Sequence, residues 1–151
     1  GFSLDPASPN IIEPGKRPAH TLNAFTALNP DGTLHLVGGT PGANIQVQTN
    51  LQLIVNIVDL KMNVQEATEA PRWQHLNAPG QSSSEETGSG VLEIENRVSV
   101  TVLDELRAKG HDVKELAAWG HGSSVQLMQV LPNKTYAFGS DPRCEGHACG
   151  I

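Results

Sequence analysis

The sequence has little positive charge, few cysteines and no long apolar run, and each shortage removes a class of function. Ten Lys and Arg stand against sixteen Asp and Glu, a formal net charge of −6, and no stretch gathers the basic residues together. A surface that binds nucleic acid needs such a cluster, so nucleic acid is excluded as a partner. The longest apolar run falls far short of the roughly 20 residues that cross a bilayer, so no membrane span is expected. The opening Gly1-Phe2-Ser3-Leu4-Asp5-Pro6 has neither the basic n-region nor the apolar h-region of a signal peptide. Its first residue is Gly, not Met, which fits a processed or truncated piece whose targeting information would lie upstream. With no targeting segment in view, cytoplasm and periplasm both stay open.

The two cysteines, Cys144 and Cys149, lie near the C-terminus with His147 between them. A zinc site usually pairs Cys-x₂₋₄-Cys with a second close ligand pair. No such pair follows here, so neither a metal nor a cofactor is expected. Free thiols or one short-loop disulfide are the readings that remain.

What is present is enough for one domain. The chain has 151 residues, 38% of them hydrophobic and 17% charged, which suits a globular protein with a sizeable core. Residues 1–19 hold Pro6, Pro9, Pro14 and Pro18 with little periodicity, and read as an irregular lead-in. Within it, Pro14-Gly15-Lys16-Arg17-Pro18 is a basic turn, either solvated or facing a carboxylate. Leu22 to Leu28 and Thr33 to Val37 alternate around Asn29-Pro30-Asp31-Gly32, the pattern of a hairpin. From Asn44 to Asp59 the spacing turns helical, with Ile45, Leu51, Ile54, Val55 and Val58 expected on the buried face.

Asn63 with Glu66 predicts a capped short helix that runs to about Ala70 and stops at Pro71. Residues 77–90 are polar and are expected to be a loop, the best candidate for disorder. Val91–Glu95 alternates as a strand. Ser99 caps a helix expected to reach Lys109, burying Val102, Leu103 and Leu106, with Gly110 ending it. Ser123–Leu131 and Thr135–Phe138 flank Pro132-Asn133-Lys134 as a second hairpin. Gly139-Ser140-Asp141-Pro142-Arg143 reads as a polar turn in which Asp141 and Arg143 form a structural pair. One mixed sheet with helices layered on it, an α+β arrangement, is the expected architecture.

The stretch that carries chemistry is Gly38-Gly39-Thr40-Pro41-Gly42-Ala43, where the strand pattern meets the helical one. Gly and Pro there make a tight elbow, and the first N–H groups of a following helix have no intrahelical acceptor. Oriented free N–H groups attract an anion or a developing oxyanion. A tight connection that binds nothing is the alternative, and the motif alone does not separate the two.

Taken together, Pro14-Gly-Lys-Arg-Pro18, Gly39-Thr-Pro-Gly42, Glu66-Ala67, Ala70-Pro-Arg72, Gly110-His111 and Ser140-Asp-Pro-Arg143 resemble one family in its own order. This is the C-terminal part of the small subunit of γ-glutamyltranspeptidases and related acylases, which are N-terminal-nucleophile hydrolases. The resemblance spans nearly the whole chain. It implies a four-layer αββα fold, a precursor that cleaves itself, and a small-molecule amide substrate. It also implies partners: the upstream part of the small subunit and the large subunit of the same precursor. The nucleophile would be a Thr at the new N-terminus, upstream of Gly1, with its own α-amine as base.

Carried over by position, the family's paired oxyanion glycines fall on Gly42 and Ala43. Its carboxylate-holding Ser-Ser pair falls on His20 and Thr21, where His20 is either a substrate contact or a packing residue. Its acid, which grips a γ-glutamyl α-amine just before Phe-Ser, falls on Gly1, which has no side chain. The missing acid makes oxamate amidohydrolases and cephalosporin acylases resemble the chain at least as well as true transpeptidases. Two alternatives to an enzyme stand beside this: a catalytically inactive relative, and an anion-binding regulatory domain.

Overall fold

A computed structural model describes residues 3–17, 22–42, 45–76 and 90–149. The elements are β1 (Ala24–Leu28), β2 (Leu34–Gly39), α1 (Gln46–Val58), α2 (Val64–Glu69), β3 (Trp73–His75), β4 (Val91–Glu95), α3 (Val100–Ala108), β5 (Asp112–Leu116), β6 (Gln126–Val130) and β7 (Tyr136–Ser140). The chain is α+β, as its pattern indicates. The strands form two sheets, however, where one was expected.

The first sheet runs β1-β2-β6-β7 and is antiparallel throughout. Both hairpins close on side-chain chemistry local to their turns. Asp31 accepts hydrogen bonds from the Thr33 amide at 3.0 Å and hydroxyl at 2.6 Å, and Gly32 takes the positive φ. In the second turn Asn133 accepts from the Thr135 amide and hydroxyl in the same way. Pairing puts Phe25, Ala27, Leu36, Leu127 and Ala137 on one face. There they meet Leu53 and Ile57 of α1 and Val64 and Ala67 of α2 to form the core.

The other face of this sheet carries the row Thr26, Val37, Met128 and Phe138, with Tyr136 on the same face two residues before Phe138 in β7. No described element packs a layer on that face, and Tyr136 is 60% and Phe138 38% exposed.

Helix α1 corrects the expected burial. Its buried residues are Gln46, Thr49, Asn50, Leu53 and Ile57, whereas Leu51 and Val58 are exposed and Ile45, Ile54 and Val55 half-buried. The apolar periodicity is genuine, but its centre is turned away from the core. Helix α2 follows its signals: Asn63 and Glu66 close a capping box, and Ala70 ends the helix before Pro71.

The second sheet runs β3-β4-β5, with β3 and β4 antiparallel and β4 and β5 parallel. Parallel neighbours need a crossover, and α3 supplies it. Ser99 accepts from the Val102 amide as its cap, and the helix ends at Ala108, one residue before Lys109. Only Leu103 of α3 is fully buried; Leu106 is half-buried and Val102 is exposed.

Strands β3 and β5 were not expected, and side chains of α1 explain how a three-residue strand persists. Gln48 bonds the His75 N–H and C=O at 2.7 and 3.0 Å, and Gln52 bonds those of Trp73 at 3.1 and 2.8 Å. Two glutamines four residues apart on a helix, about 6 Å, roughly match the two-residue repeat of a strand. They satisfy the edge of β3 as a further strand would. Gln65 of α2 does the same for Ser140 at the edge of β7, so Gly139 and Ser140 belong to a strand and not to the turn after it.

Residues 3–17 contain no helix and one isolated bridge, Ser3 to Ile11, in keeping with an irregular lead-in. Lys16 finds its carboxylate locally, in Glu13 at 3.5 Å. The polar stretch 77–89 lies outside the described residues. Among the described residues no helix is long and apolar enough to cross a membrane.

Candidate functional site

The elbow begins where β2 runs out at Gly38-Gly39. Thr40 is buried and turns its hydroxyl onto the Pro41 carbonyl at 2.8 Å. Gly42 then adopts φ +134°, and its carbonyl accepts from the Ile45 amide at 3.1 Å. A Cβ at Gly42 would lie 2.8 Å from Ile45 Cγ1 and 3.1 Å from Ser123 Cβ. Dihedral and space therefore both require glycine here. The first helical residue is Gln46, not Asn44. Ile45 stands at the N-cap with no side-chain capping bond. The elbow thus precedes the helix by a turn.

Under the elbow lies a line of buried hydroxyl and imidazole groups. The Thr49 and Ser123 hydroxyls are 3.0 Å apart, and Ser123 Oγ is 3.0 Å from His121 Nδ1. The Ser123 amide also donates to Nδ1, at 3.2 Å, so Nδ1 carries no proton and Nε2 holds the hydrogen of a neutral ring. Burial, with Arg72 nearby, lowers the His121 pKa to about 4. Arg72 donates to the Ser123 carbonyl at 2.9 Å.

Beyond Ser123 this line joins a buried ionic cluster that spans the two sheets. Arg72 pairs with Asp141, and Arg143 pairs with Asp141 at 3.0 Å and with Glu95 at 2.6 Å. Arg97, the third guanidinium of the cluster and the second on Glu95, stacks 3.5 Å from the Trp119 ring centroid. Burial alone would raise the Glu95 pKa. The Arg143 and Arg97 hydrogen bonds outweigh it and hold the carboxyl at about 2. Asp141 and Arg143 do form a structural pair, and their reach extends well beyond the turn.

Of the residues singled out from sequence, Gly42 is described and sits at the elbow. Gly1, His20, Thr21 and Ala43 lie outside the described residues. Thr49, His121 and Ser123 were missed. The exposed thiols of Cys144 and Cys149 are not joined to each other. An open cleft of about 690 Å³ runs over the outer face of the first sheet, bordered by Val37, Gly39, Met128, Phe138 and His147.

The family model described as "Gamma-glutamyltranspeptidase" matches residues 1–151. The oxamate amidohydrolase proenzyme of Klebsiella pneumoniae is 35% identical over 99% of this chain and 27% of its own length. The glutathione hydrolase proenzyme of Escherichia coli is 34% identical over 94% of this chain and 24% of its own length. Among solved structures, an acivicin-inhibited gamma-glutamyltranspeptidase superposes with a TM-score of 0.73 at 30% identity, covering 96% of this chain and 77% of that one. A cephalosporin acylase from Bacillus halodurans also gives 0.73, at 29% identity, covering 97% and 26%. The chain spans about a quarter of the length of the curated relatives.

Proposed function

Because the chain belongs to the gamma-glutamyltranspeptidase family, whose N-terminal-nucleophile fold it shares, we propose that residues 1–151 are the C-terminal portion of the small, catalytic subunit of an amide hydrolase or acyltransferase. In this reading the Thr nucleophile lies upstream of Gly1, and the large subunit completes the site. The Thr hydroxyl attacks the amide carbonyl while its α-amine takes the proton. The Gly42 and Ala43 N–H groups receive the oxyanion, and the amine leaves with the proton returned to it. Water or a second amine then releases the acyl group. His20 and Thr21 contact the acyl carboxylate.

The observation that carries this reading is the Gly42 elbow. It is a strand-to-helix junction whose φ and lack of space for a Cβ both demand glycine, and the sequence resemblance assigns one of the family's oxyanion donors to this residue. The partner requirement draws support from the row Val37, Met128 and Phe138 and from the outer stripe of α1, Val47, Leu51 and Val58, which are only partly covered by the described residues. The test of the elbow is Ala43→Pro in the processed enzyme made from the complete precursor. Losing one oxyanion donor lowers kcat about 10²- to 10³-fold, and an unchanged kcat would refute the assignment.

The substrate reading rests on Gly1. An absent charge-assisted hydrogen bond weakens binding by about 1.5–3 kcal/mol, so a γ-glutamyl α-amine gains nothing at this position. Sequence identity does not choose among the relatives, since 35% and 34% are the same within any useful margin. The proposed substrate is a small or non-amino acyl amide. Comparing kcat/KM for a γ-glutamyl anilide, a glutaryl anilide and oxamate decides it, and a clear γ-glutamyl preference would overturn it.

A further inference from the structure

The buried end of α1 nearest the elbow is polar where the rest of that face is apolar. Gln46, Thr49 and Asn50 give way to Leu53 and Ile57 within one turn. Thr49 is 0% exposed, Ser123 2% and His121 4%, so three polar side chains occupy space that apolar groups would fill at lower cost. Their hydrogen bonds run in a line, from the Thr49 hydroxyl to Ser123 Oγ to His121 Nδ1.

Ser123 is the member beside the elbow, close enough that a Cβ added at Gly42 would lie 3.1 Å from its own Cβ. Its own position is fixed on every side. Arg72 holds its carbonyl, His121 accepts from its amide, and its hydroxyl lies between Thr49 and His121. Since Nδ1 already accepts from the amide, the Ser123 hydroxyl donates to it and accepts from Thr49. A side chain held this way bounds the space beside Gly42, in addition to the Ile45-to-Gly42 turn bond.

We propose that Thr49, Ser123 and His121 are positioning residues for the oxyanion elbow, setting the Gly42 peptide through the Ser123 side chain that packs beside it and that the other two hold by hydrogen bonds. The inference rests on the elbow being the oxyanion site. Oxyanion donors act through preorganisation, and a displacement of about 1 Å costs on the order of 100-fold in rate. Substrate binding is held elsewhere, so the loss belongs in kcat and not in KM.

The experiment uses the processed enzyme from the complete precursor, with whichever of the γ-glutamyl anilide, glutaryl anilide or oxamate it turns over fastest. Ser123→Ala keeps the Cβ and removes the hydroxyl. Thr49→Val keeps the shape and removes the hydroxyl, and Thr49→Ser restores it. The expected result is a kcat lowered about 10- to 100-fold in Ser123→Ala and Thr49→Val, with KM within about threefold of wild type. Thr49→Ser should return kcat to within about threefold of wild type. If Ser123→Ala fails to fold, the Thr49 pair reads the same line from its other end. Unchanged kcat in Ser123→Ala and Thr49→Val, with activity lost in Ala43→Pro, overturns this inference and spares the elbow. Equal losses in Thr49→Val and Thr49→Ser show a packing role and also overturn it. An enzyme indifferent to Ala43→Pro, or inactive as wild type on all three substrates, overturns the elbow reading and this inference with it.

Discussion

Glu95→Gln is the substitution whose cost the structure states most directly. The side chain is 0% exposed. Its carboxylate accepts from Arg143 Nε at 2.7 Å and Nη2 at 2.6 Å, Arg97 Nη2 at 2.6 Å, the Arg72 amide at 3.2 Å and the His121 amide at 3.2 Å. Glutamine keeps the shape, removes the charge and turns an N–H₂ toward guanidinium groups that are already donors. Among the described residues, Asp141 is then the one carboxylate left paired with Arg72 and Arg143.

Two magnitudes bear on the loss. Its pKa drops from 4.5 to about 2, so at about 1.4 kcal/mol per unit the native state favours the charged form by roughly 3 kcal/mol. Breaking a buried ion pair by removing one partner costs about 3–5 kcal/mol. The two agree. With about 2–4 °C per kcal/mol for a domain of this size, the thermal midpoint should fall by about 6–20 °C.

The assay is thermal unfolding of the processed enzyme, followed by near-UV circular dichroism because Trp119 stacks on the same cluster. Glu115→Gln is the comparison: Glu115 meets Arg107 at 2.7 Å, but both side chains are over 40% exposed, and such pairs contribute about 0.2–1 kcal/mol. A Glu95→Gln midpoint within about 2 °C of wild type, or no lower than that of Glu115→Gln, would refute the argument that this cluster holds the two sheets together.

What the sequence made legible was what neighbouring residues decide. Asp31-Gly32, the Asn63 and Glu66 box, the Ser99 cap and Gly110 act within four residues of themselves, and each was readable. Strand β5, Asp112-Val113-Lys114-Glu115-Leu116, was not, because most of it is exposed and its charges hide the period. Strand β3 was invisible because its edge is satisfied by Gln48 and Gln52, more than twenty residues earlier in the chain. The burial of α1 was misread for a related reason. The centre of its apolar stripe is turned away from the core, leaving Leu51 and Val58 exposed, and the inward face near the elbow is polar. Gly42 could be found as a junction glycine, and the resemblance gave it a role. Ser123 could not be found that way, since it meets Thr49 across 74 positions and no local pattern records such a contact. Arg72, Asp141 and Arg143 stood out as motif letters, yet the cluster in which Arg72 and Arg143 bridge Asp141 and Glu95 is a tertiary fact.

The remaining predictions concern acid and the elbow itself. Below neutrality the two buried groups act in one direction. The folded state keeps His121 neutral down to about pH 4, whereas an unfolded His protonates near 6.5. The unfolded chain therefore binds the extra proton between those values, and about 3 kcal/mol is lost as pH falls through that window. Glu95 adds its own loss between its reference value of 4.5 and about 2, where the unfolded carboxyl protonates first. Urea midpoints measured from pH 7 to 4 should therefore decline, and His121→Gln should flatten that slope; an unchanged slope in the variant would show that His121 is not its source. The last prediction is Gly42→Ala. The new Cβ would meet Ile45 Cγ1 at 2.8 Å and Ser123 Cβ at 3.1 Å, with φ at +134°. Ile45 can rotate away at its flexible end. Ser123 cannot, because Arg72, His121 and Thr49 fix it. The strained φ costs about 1–3 kcal/mol, and the elbow peptide is the part free to yield. Gly42→Ala should thus lower kcat by at least about 10-fold while the thermal midpoint falls by no more than about 10 °C. Adding Ile45→Ala relieves one contact and leaves the φ and the Ser123 contact in place, so it should recover little of the rate. A double variant restored to wild-type kcat would mean that Ile45, and not the Ser123 side chain, sets the elbow. A single variant with wild-type kcat would mean that the elbow geometry is not needed for the reaction.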